Sequence, residues 1–302
     1  MVTATTERRR RGRGHLQPTG RHRGFEATEN FSAGFQALAH LALDGAQVSA
    51  RAIDLLTGRV LFSVDDHVVL PTASIGKVLL LLEVSARLGV GGYSRYDILD
   101  RTSPDEVEDS GIWQHLHTPA LPLADVASLV GAASDNLATN VLLRRVGLDA
   151  VRERTDELGL QRTALLDRVR DRRGPDDAPQ LSVGSMDELV WLFAAIARGE
   201  AIDATTSYRV ADWLALNVDL SMVASAFGLD PLSHVRSDHN LTLFNKTGTD
   251  KGLLSEVGVL RGPRAGVAYG VTLSYRDDRL ADRLSARQAM HTIGLDLLEY
   301  VH

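Results

Sequence analysis

Ser74-Ile75-Gly76-Lys77 places a hydroxyl and an amine three residues apart, and on a helix such a pair shares one face. A serine hydroxyl is a poor nucleophile until a base takes its proton. Lysine can be that base only when burial and a cationic neighbour pull its pKa from about 10.4 toward neutrality. At a helix N-terminus the outward N–H groups also favour the negative charge of an oxyanion. Alone, Ser-x-x-Lys describes many exposed helix faces. Two further groups stand downstream: Ser134-Asp135-Asn136, three residue types that also cap helices, and Lys246-Thr247-Gly248, which in isolation is a strand ending in a glycine turn.

The three groups in this order form the signature of class A β-lactamases and penicillin-binding proteins. From about residue 31 to its C-terminus the chain resembles a class A-like β-lactamase. The resemblance implies a serine hydrolase that forms an acyl-enzyme. Ser74 would attack a carbonyl, Lys77 would act as base, and Ser134 would pass a proton to the leaving nitrogen. Asn136 would hydrogen-bond the amide of the substrate's side chain. Lys246 and Thr247, followed by Gly248, would bind a substrate carboxylate, Lys246 also depressing the pKa of Lys77. The backbone N–H groups of Ser74 and Thr249 would form the oxyanion hole. Asp135 reads as a structural tie between loops, and Trp113 as a cleft wall or a core residue. The implied partner is a small acyl substrate, a β-lactam or a related amide or ester, with no cofactor and no metal.

Two departures limit how much activity the resemblance carries. Class A enzymes have a glutamate in a long loop that activates the deacylating water, in a pattern like Leu-Asp-Arg-x-Glu. This chain reads Leu166-Asp167-Arg168-Val169-Arg170, and arginine cannot accept a proton. No glutamate lies between Leu158 and Asp187. Asp167, Asp171, Asp176 and Asp177 are shorter by a methylene and read as partners of the local arginines. Losing a general base costs about 10²–10⁴-fold in rate, here on release of the acyl group, giving an enzyme quick to acylate and slow to release. The second departure is Glu256, aligned where many class A enzymes carry a carboxylate-binding arginine; Arg236 is the candidate replacement. Without one, a neutral ester or amide substrate gains weight. An esterase or amidase, and an acylated sensor or pseudoenzyme, are therefore the alternative readings.

Other chemistries fit less well. His115-Leu116-His117 offers two metal donors without a third at a recognisable spacing and reads as a surface pair. Thr72 to Gly76 is one residue short of an α/β-hydrolase nucleophile elbow and lacks the alternating strand and helix context. No glycine-rich phosphate loop occurs.

The elements that must hold these groups follow from periodicity. Apolar spacing gives a first helix over Phe31–Leu43, then a hairpin of Val48–Leu55 and Arg59–Val64 around Thr57-Gly58. Thr72 and Ser74 offer hydroxyls to cap a helix running to about Leu88. Helical patterns follow to about residue 230, clearest over 121–130, 138–146 and 186–198, with a long loop at 167–179. Strand patterns return at 242–246, 255–260 and 267–275, and a helix spans Asp282–Val301. The expected fold is α+β, β-lactamase/transpeptidase-like: an antiparallel sheet with flanking terminal helices and an inserted all-helical lobe. The divisions are a basic leader at 1–27, an α/β lobe of 28–72 with 235–302, and a helical lobe of 73–234. The site belongs at the lobe junction.

Composition agrees with a globular enzyme. The 302 residues are 44% hydrophobic and 24% charged, enough for a large core. With no cysteine, disulfides and thiolate metal sites are excluded. Seven arginines against one acid in residues 1–24 leave the remainder with 26 basic and 38 acidic residues, a net of −12. Residues 1–24 have the charge of a nucleic-acid-binding arm, but without an aromatic and with little to bury they read as a disordered terminus, and no nucleic-acid partner is expected. The leader's arginines precede a polar stretch rather than the apolar region of a secretory signal. The longest apolar run, Leu189–Ala197, is far short of a span. A monomeric cytoplasmic protein is the resulting expectation.

Overall fold

A computed structural model describes residues 31–302, so the leader lies outside the described residues. In chain order the elements are α1 (Ser32–Leu43), β1 (Gln47–Asp54), β2 (Val60–Val64), β3 (Leu70–Pro71), α2 (Lys77–Gly89), β4 (Ile98–Asp100) and β5 (Ala120–Pro122). Then come α3 (Leu123–Ala133), α4 (Asn136–Val146), α5 (Leu148–Glu157), β6 (Ala164–Leu165), β7 (Ser182–Gly184), α6 (Met186–Arg198) and α7 (Ala204–Leu214). The chain closes with β8 (Thr242–Asp250), β9 (Leu253–Arg261), β10 (Gly266–Ser274) and α8 (Leu280–Val301). The fold is mixed α+β, as the element order implied.

Five strands form one antiparallel sheet in the order β2-β1-β10-β9-β8. The first two come from the N-terminal part of the chain and the other three from the C-terminal part, so the long helical stretch between them is an insertion. The β1–β2 turn is set by Asp54, whose Oδ1 accepts from Leu56 N (3.1 Å), Thr57 N (2.7 Å) and Thr57 Oγ1 (2.7 Å). Gly58 follows at φ +70°, a left-handed conformation that glycine adopts without strain. β9 and β10 are buried along nearly their whole length, because the sheet is covered on both faces. Continuous apolar runs rather than alternation are the sequence trace of such strands.

Two apolar clusters fill the two sides. One joins α2, α3, α4, α6 and α7 to Val257, Val259 and Ala268 on one sheet face. The other packs α1 and α8 on the opposite face. It also includes Leu220, Met222, Val223 and Phe227; side-chain packing thus puts this segment with the terminal helices, although the sequence division assigned it to the helical lobe. In α2, Val78, Leu79, Leu80, Leu81 and Leu82 have no exposed surface. A helix apolar on all sides is stable only inside a core, and this one carries Lys77 into the interior at its first residue. The short strands β3 to β7 escaped the sequence reading; two or three residues carry too little periodicity to read. No helix among the described residues is long and apolar enough to cross a membrane.

Candidate functional site

Ser74 lies in a 3₁₀ turn, Ala73–Gly76, that runs into α2. The expected capping of this helix by the Thr72 and Ser74 hydroxyls does not form. Thr72 Oγ1 instead donates to Ser182 Oγ (2.8 Å), whose own hydrogen goes to Ala73 O (2.6 Å), stitching the turn to β7. That bond turns the Thr72 hydroxyl toward β7 and away from the helix N–H groups. Ala73 sits at φ +47°, a costly conformation for a residue with a Cβ. Gly76 has no room for one, since a Cβ there would stand 2.4 Å from Ser182 Cβ. The turn is therefore rigid and its shape is set by neighbours.

Lys77 follows with no exposed surface. Its Nζ donates to Ser134 O (2.7 Å), Ser134 Oγ (3.3 Å) and Asn136 Oδ1 (2.7 Å). None of these bonds is to Ser74, so the direct amine–hydroxyl contact suggested by the spacing is replaced by a contact to the second motif. Burial, then the charge of Lys246, hold the Lys77 amine well below its usual pKa, against the pull of Asp135 and Asp109. A buried amine pressed toward neutrality is able to accept a proton.

The Ser134-Asp135-Asn136 group links α3 to α4. Ser134 ends α3 in the left-handed region at φ +52°, which turns the chain sharply. Asp135 caps α4 through Oδ1 to Ala138 N (2.9 Å). Its Oδ2 accepts from Ile112 N and Trp113 N, both at 2.8 Å. It is both the helix cap and the loop tie. Asn136 spans two partners, Lys77 Nζ and, through Nδ2, Glu108 O (3.2 Å). Trp113 is fully buried and donates Nε1–H to Thr118 O (3.2 Å); it is a core residue. His115 and His117 are exposed.

Lys246-Thr247-Gly248 lies on β8, an edge strand of the sheet. A Cβ on Gly248 would sit 2.2 Å from Thr72 O and 3.1 Å from Ser74 N. Glycine is needed here so that β8 can lie against the Ser74 turn, a packing reason beside the expected substrate contact. Lys246 has no exposed surface and donates to Thr247 O (2.7 Å). Burial brings its pKa down to about 8, with Asp219 pulling the other way.

These residues border a cleft of about 920 Å³. Ser74, Asn136 and Thr249 are on its wall. Lys77, Lys246 and Thr247 are buried. A model of the beta-lactamase enzyme family matches residues 30–301. The chain belongs to the beta-lactamase enzyme family. Its likeness to solved structures is of the same kind. It is 24% identical to a beta-lactamase from Sphaerobacter thermophilus DSM 20745 over 89% of this chain and 96% of that one, with a TM-score of 0.77. It is 17% identical to a class A beta-lactamase from Mycobacterium abscessus over 88% and 98%, with a TM-score of 0.73. A mutant of PBP-A described as an acyl-enzyme complex with penicillin G is 17% identical over 88% and 95%, with a TM-score of 0.74. No match was found among curated proteins. The chain has the β-lactamase fold and, as a member of this family, a β-lactamase-like hydrolase function.

Where this family member departs from the common pattern, the structure gives the consequences. Arg170 borders the cleft but is tied back into its loop. It donates to Asp167 Oδ2 (2.8 Å) and Oδ1 (3.2 Å), and pairs with Asp177 Oδ1 (3.0 Å). Arg173 adds a bond to Asp167 Oδ2 (2.7 Å). These ties leave Asp167 and Asp177 as ion-pair partners, whereas Asp171 accepts from Glu108 N (2.9 Å). Asp167 stays below the usual carboxylate range because these bonds outweigh its burial. Asn140 clamps the loop from below, accepting from Val169 N (2.9 Å) and donating to Val169 O and Asp105 O (both 3.1 Å). Asn140 was missed, although it stands one helical turn after Asn136 and that spacing was available to read.

Glu256 faces away from the cleft. It pairs across β8 and β9 with Thr247 and is fully buried. It accepts from Val223 N (2.8 Å), Ala224 N (3.3 Å), Asn245 Nδ2 (2.8 Å) and Tyr269 Oη (2.7 Å). Burial outweighs these bonds and pushes it up to about 7. In the folded state it holds a proton that the unfolded chain has lost above about 4.5. Its contribution to stability is thus full below that value and declines as pH rises through 7. In Glu256→Gln this decline is expected to vanish, so that the parent's advantage over the variant shrinks as pH rises. Denaturant unfolding midpoints from pH 5 to 8 check it, and an unchanged pH slope counts against the assignment. Arg236, the candidate replacement on the cleft, is exposed and not on the cleft wall. Lys251, Arg283 and Arg287 line it instead, the two arginines coming from α8. Arg283 is committed to Asp277 (2.6 Å), whereas Arg287 is half-buried and donates one N–H to Ser221 O (3.1 Å). Nothing in a C-terminal helix pattern marks these two for the site.

Proposed function

We propose that Ser74 is acylated by β-lactams and that the acyl-enzyme is released slowly. The observation that carries the reading is the buried Lys77 amine, held low by burial and by Lys246 and hydrogen-bonded to Ser134 Oγ. With substrate bound, the Lys77 amine turns from Ser134 toward Ser74 and takes its proton as Ser74 Oγ bonds to the lactam carbonyl carbon. The carbonyl oxygen becomes an oxyanion held by the N–H groups of Ser74 and Thr249. As the C–N bond breaks, the nitrogen receives a proton through Ser134, which recovers one from Lys77. Asn136 holds the side-chain amide of the substrate with its remaining N–H. Arg287 and Lys251 draw in the substrate carboxylate from the cleft wall, and the Lys246 charge adds to the field from below. Slow release rests on Arg170, a cation in ion pairs where a base is needed.

Intact-protein mass after incubation with benzylpenicillin, beside turnover of a chromogenic cephalosporin, tests this. The expected result is a mass increase equal to the whole drug, lasting far longer than it takes to form, and absent in Ser74→Ala. Rapid turnover without a lasting adduct would discard slow release. No adduct and no turnover would discard β-lactams as ligands and leave an ester or amide substrate.

A further inference from the structure

Asp109 is an exposed cleft residue at φ +73°, a left-handed conformation with no glycine to ease it. Such strain persists only where the surroundings enforce it, and here they do. Glu108 O is held by Asn136 Nδ2 (3.2 Å), Asp109 O accepts from Gln114 Nε2 (2.8 Å), and Asp135 Oδ2 holds the two N–H groups of Ile112 and Trp113. The Ser-Asp-Asn motif thus fixes the turn that carries Asp109. Among the described residues its carboxylate has no hydrogen bond and no ion pair, although its charge reaches Lys77. It stands beside Asn136, where the side chain of an acyl group would lie. The nearby cations do not neutralise it, because Arg170 and Arg173 are paired with Asp167 and Asp177.

We propose that Asp109 is a specificity-determining residue: a preset, uncompensated carboxylate that favours substrates with a positive charge on the acyl side chain and disfavours those with a negative one. The inference rests on the acylation reading above and deepens it. With Arg287 and Lys251 at the other side, the cleft suits a zwitterion, its anion toward α8 and its cation toward Asn136. Glu108 and Asp171, both exposed on the same wall, add to the negative field.

Three penicillins with one ring system test this: ampicillin has an ammonium on the side chain, benzylpenicillin no charge, and carbenicillin a carboxylate. Second-order rates of adduct formation would be measured by intact mass on the full chain. Ampicillin is expected to exceed benzylpenicillin, and benzylpenicillin carbenicillin, by about five-fold at each step at low salt. The spread should shrink as salt rises to 1 M, where screening acts within about 3 Å. In Asp109→Asn the ampicillin-to-carbenicillin ratio should fall toward one; asparagine tolerates the left-handed backbone, so the turn is kept. Arg287→Ala should slow all three alike, since all share the ring carboxylate. Equal rates in the parent, a spread insensitive to salt, or an order that survives Asp109→Asn would each overturn the proposal. No adduct with any of the three would overturn the acylation reading and this one with it.

Discussion

Replacing Lys77 with methionine is expected to slow acylation of Ser74 by benzylpenicillin by about 10²–10⁴-fold, the usual effect of removing a general base. That is about 3–5 kcal/mol of barrier. Methionine roughly keeps the buried volume, so the packing of α2 against the helical core should hold. It leaves Asn136 Oδ1 and Ser134 O without the donor they now share, and stability should drop by about 1–3 kcal/mol for each acceptor left unpaired. The pH profile separates a chemical role from a structural one. In the parent, acylation should rise with pH as Lys77 loses its proton, at a value well below that of an ordinary lysine. It should fall again through about 8, where Lys246 loses the charge that attracts a carboxylate. In Lys77→Met the rising limb should disappear. Acylation rates by intact mass from pH 5 to 9 check both limbs, and an unaltered rate in a folded Lys77→Met protein would remove Lys77 from the chemistry.

The second large effect concerns release. Arg170→Glu is expected to shorten the lifetime of the penicilloyl adduct by about 10²–10⁴-fold, because it places a base on the cleft where the guanidinium now stands. The loop should tolerate the change. Asp167 keeps Arg173 (2.7 Å) and Arg168 N (2.7 Å), Asp177 keeps Gly174 N (2.8 Å), and Asn140 still clamps Val169. Two ion pairs are lost and a like charge is added three residues from Asp167, costing about 1–3 kcal/mol of stability. Arg170→Ala separates the two contributions of the change. It removes the cation without supplying a base, and its adduct should remain long-lived. Decay of the adduct after removal of free drug is the measurement. If the glutamate variant folds and its adduct persists unchanged, Arg170 does not occupy the position of the base.

Much of the site was legible because it is encoded by residue type at fixed spacing. Ser74 and Lys77, the Ser134 to Asn136 group and Lys246 to Gly248 were each readable in isolation as something ordinary, and only their order and layout gave them meaning. The sheet was legible for the same reason: the strand runs at both ends and the helical stretch between them imply the inserted arrangement seen here. Departures from type were legible too. Arg170 and Glu256 stand out against a pattern, and absence of a base needs no coordinates to be noticed.

Direction and burial were not legible. Thr72 was read as a cap because hydroxyls often cap, but β7 arrives from more than a hundred residues away and takes that hydroxyl. Glu256 aligns where the resemblance implies a carboxylate-binding arginine, whereas its strand points it at Tyr269 and Asn245. Arg287 and Asp109 come to the cleft from a terminal helix and an irregular turn, and neither has a spacing that relates it to Ser74. By itself the sequence determined the family, the candidate nucleophile and the absence of a glutamate from the loop, since these depend on which side chains exist and in what order. Only the tertiary structure decided that Lys77 meets Ser134 rather than Ser74, that Glu256 is sealed in the core, and which charges remain free on the cleft. Those depend on distances between segments remote in the chain and on the water excluded when they pack, and neither quantity is a property of local sequence.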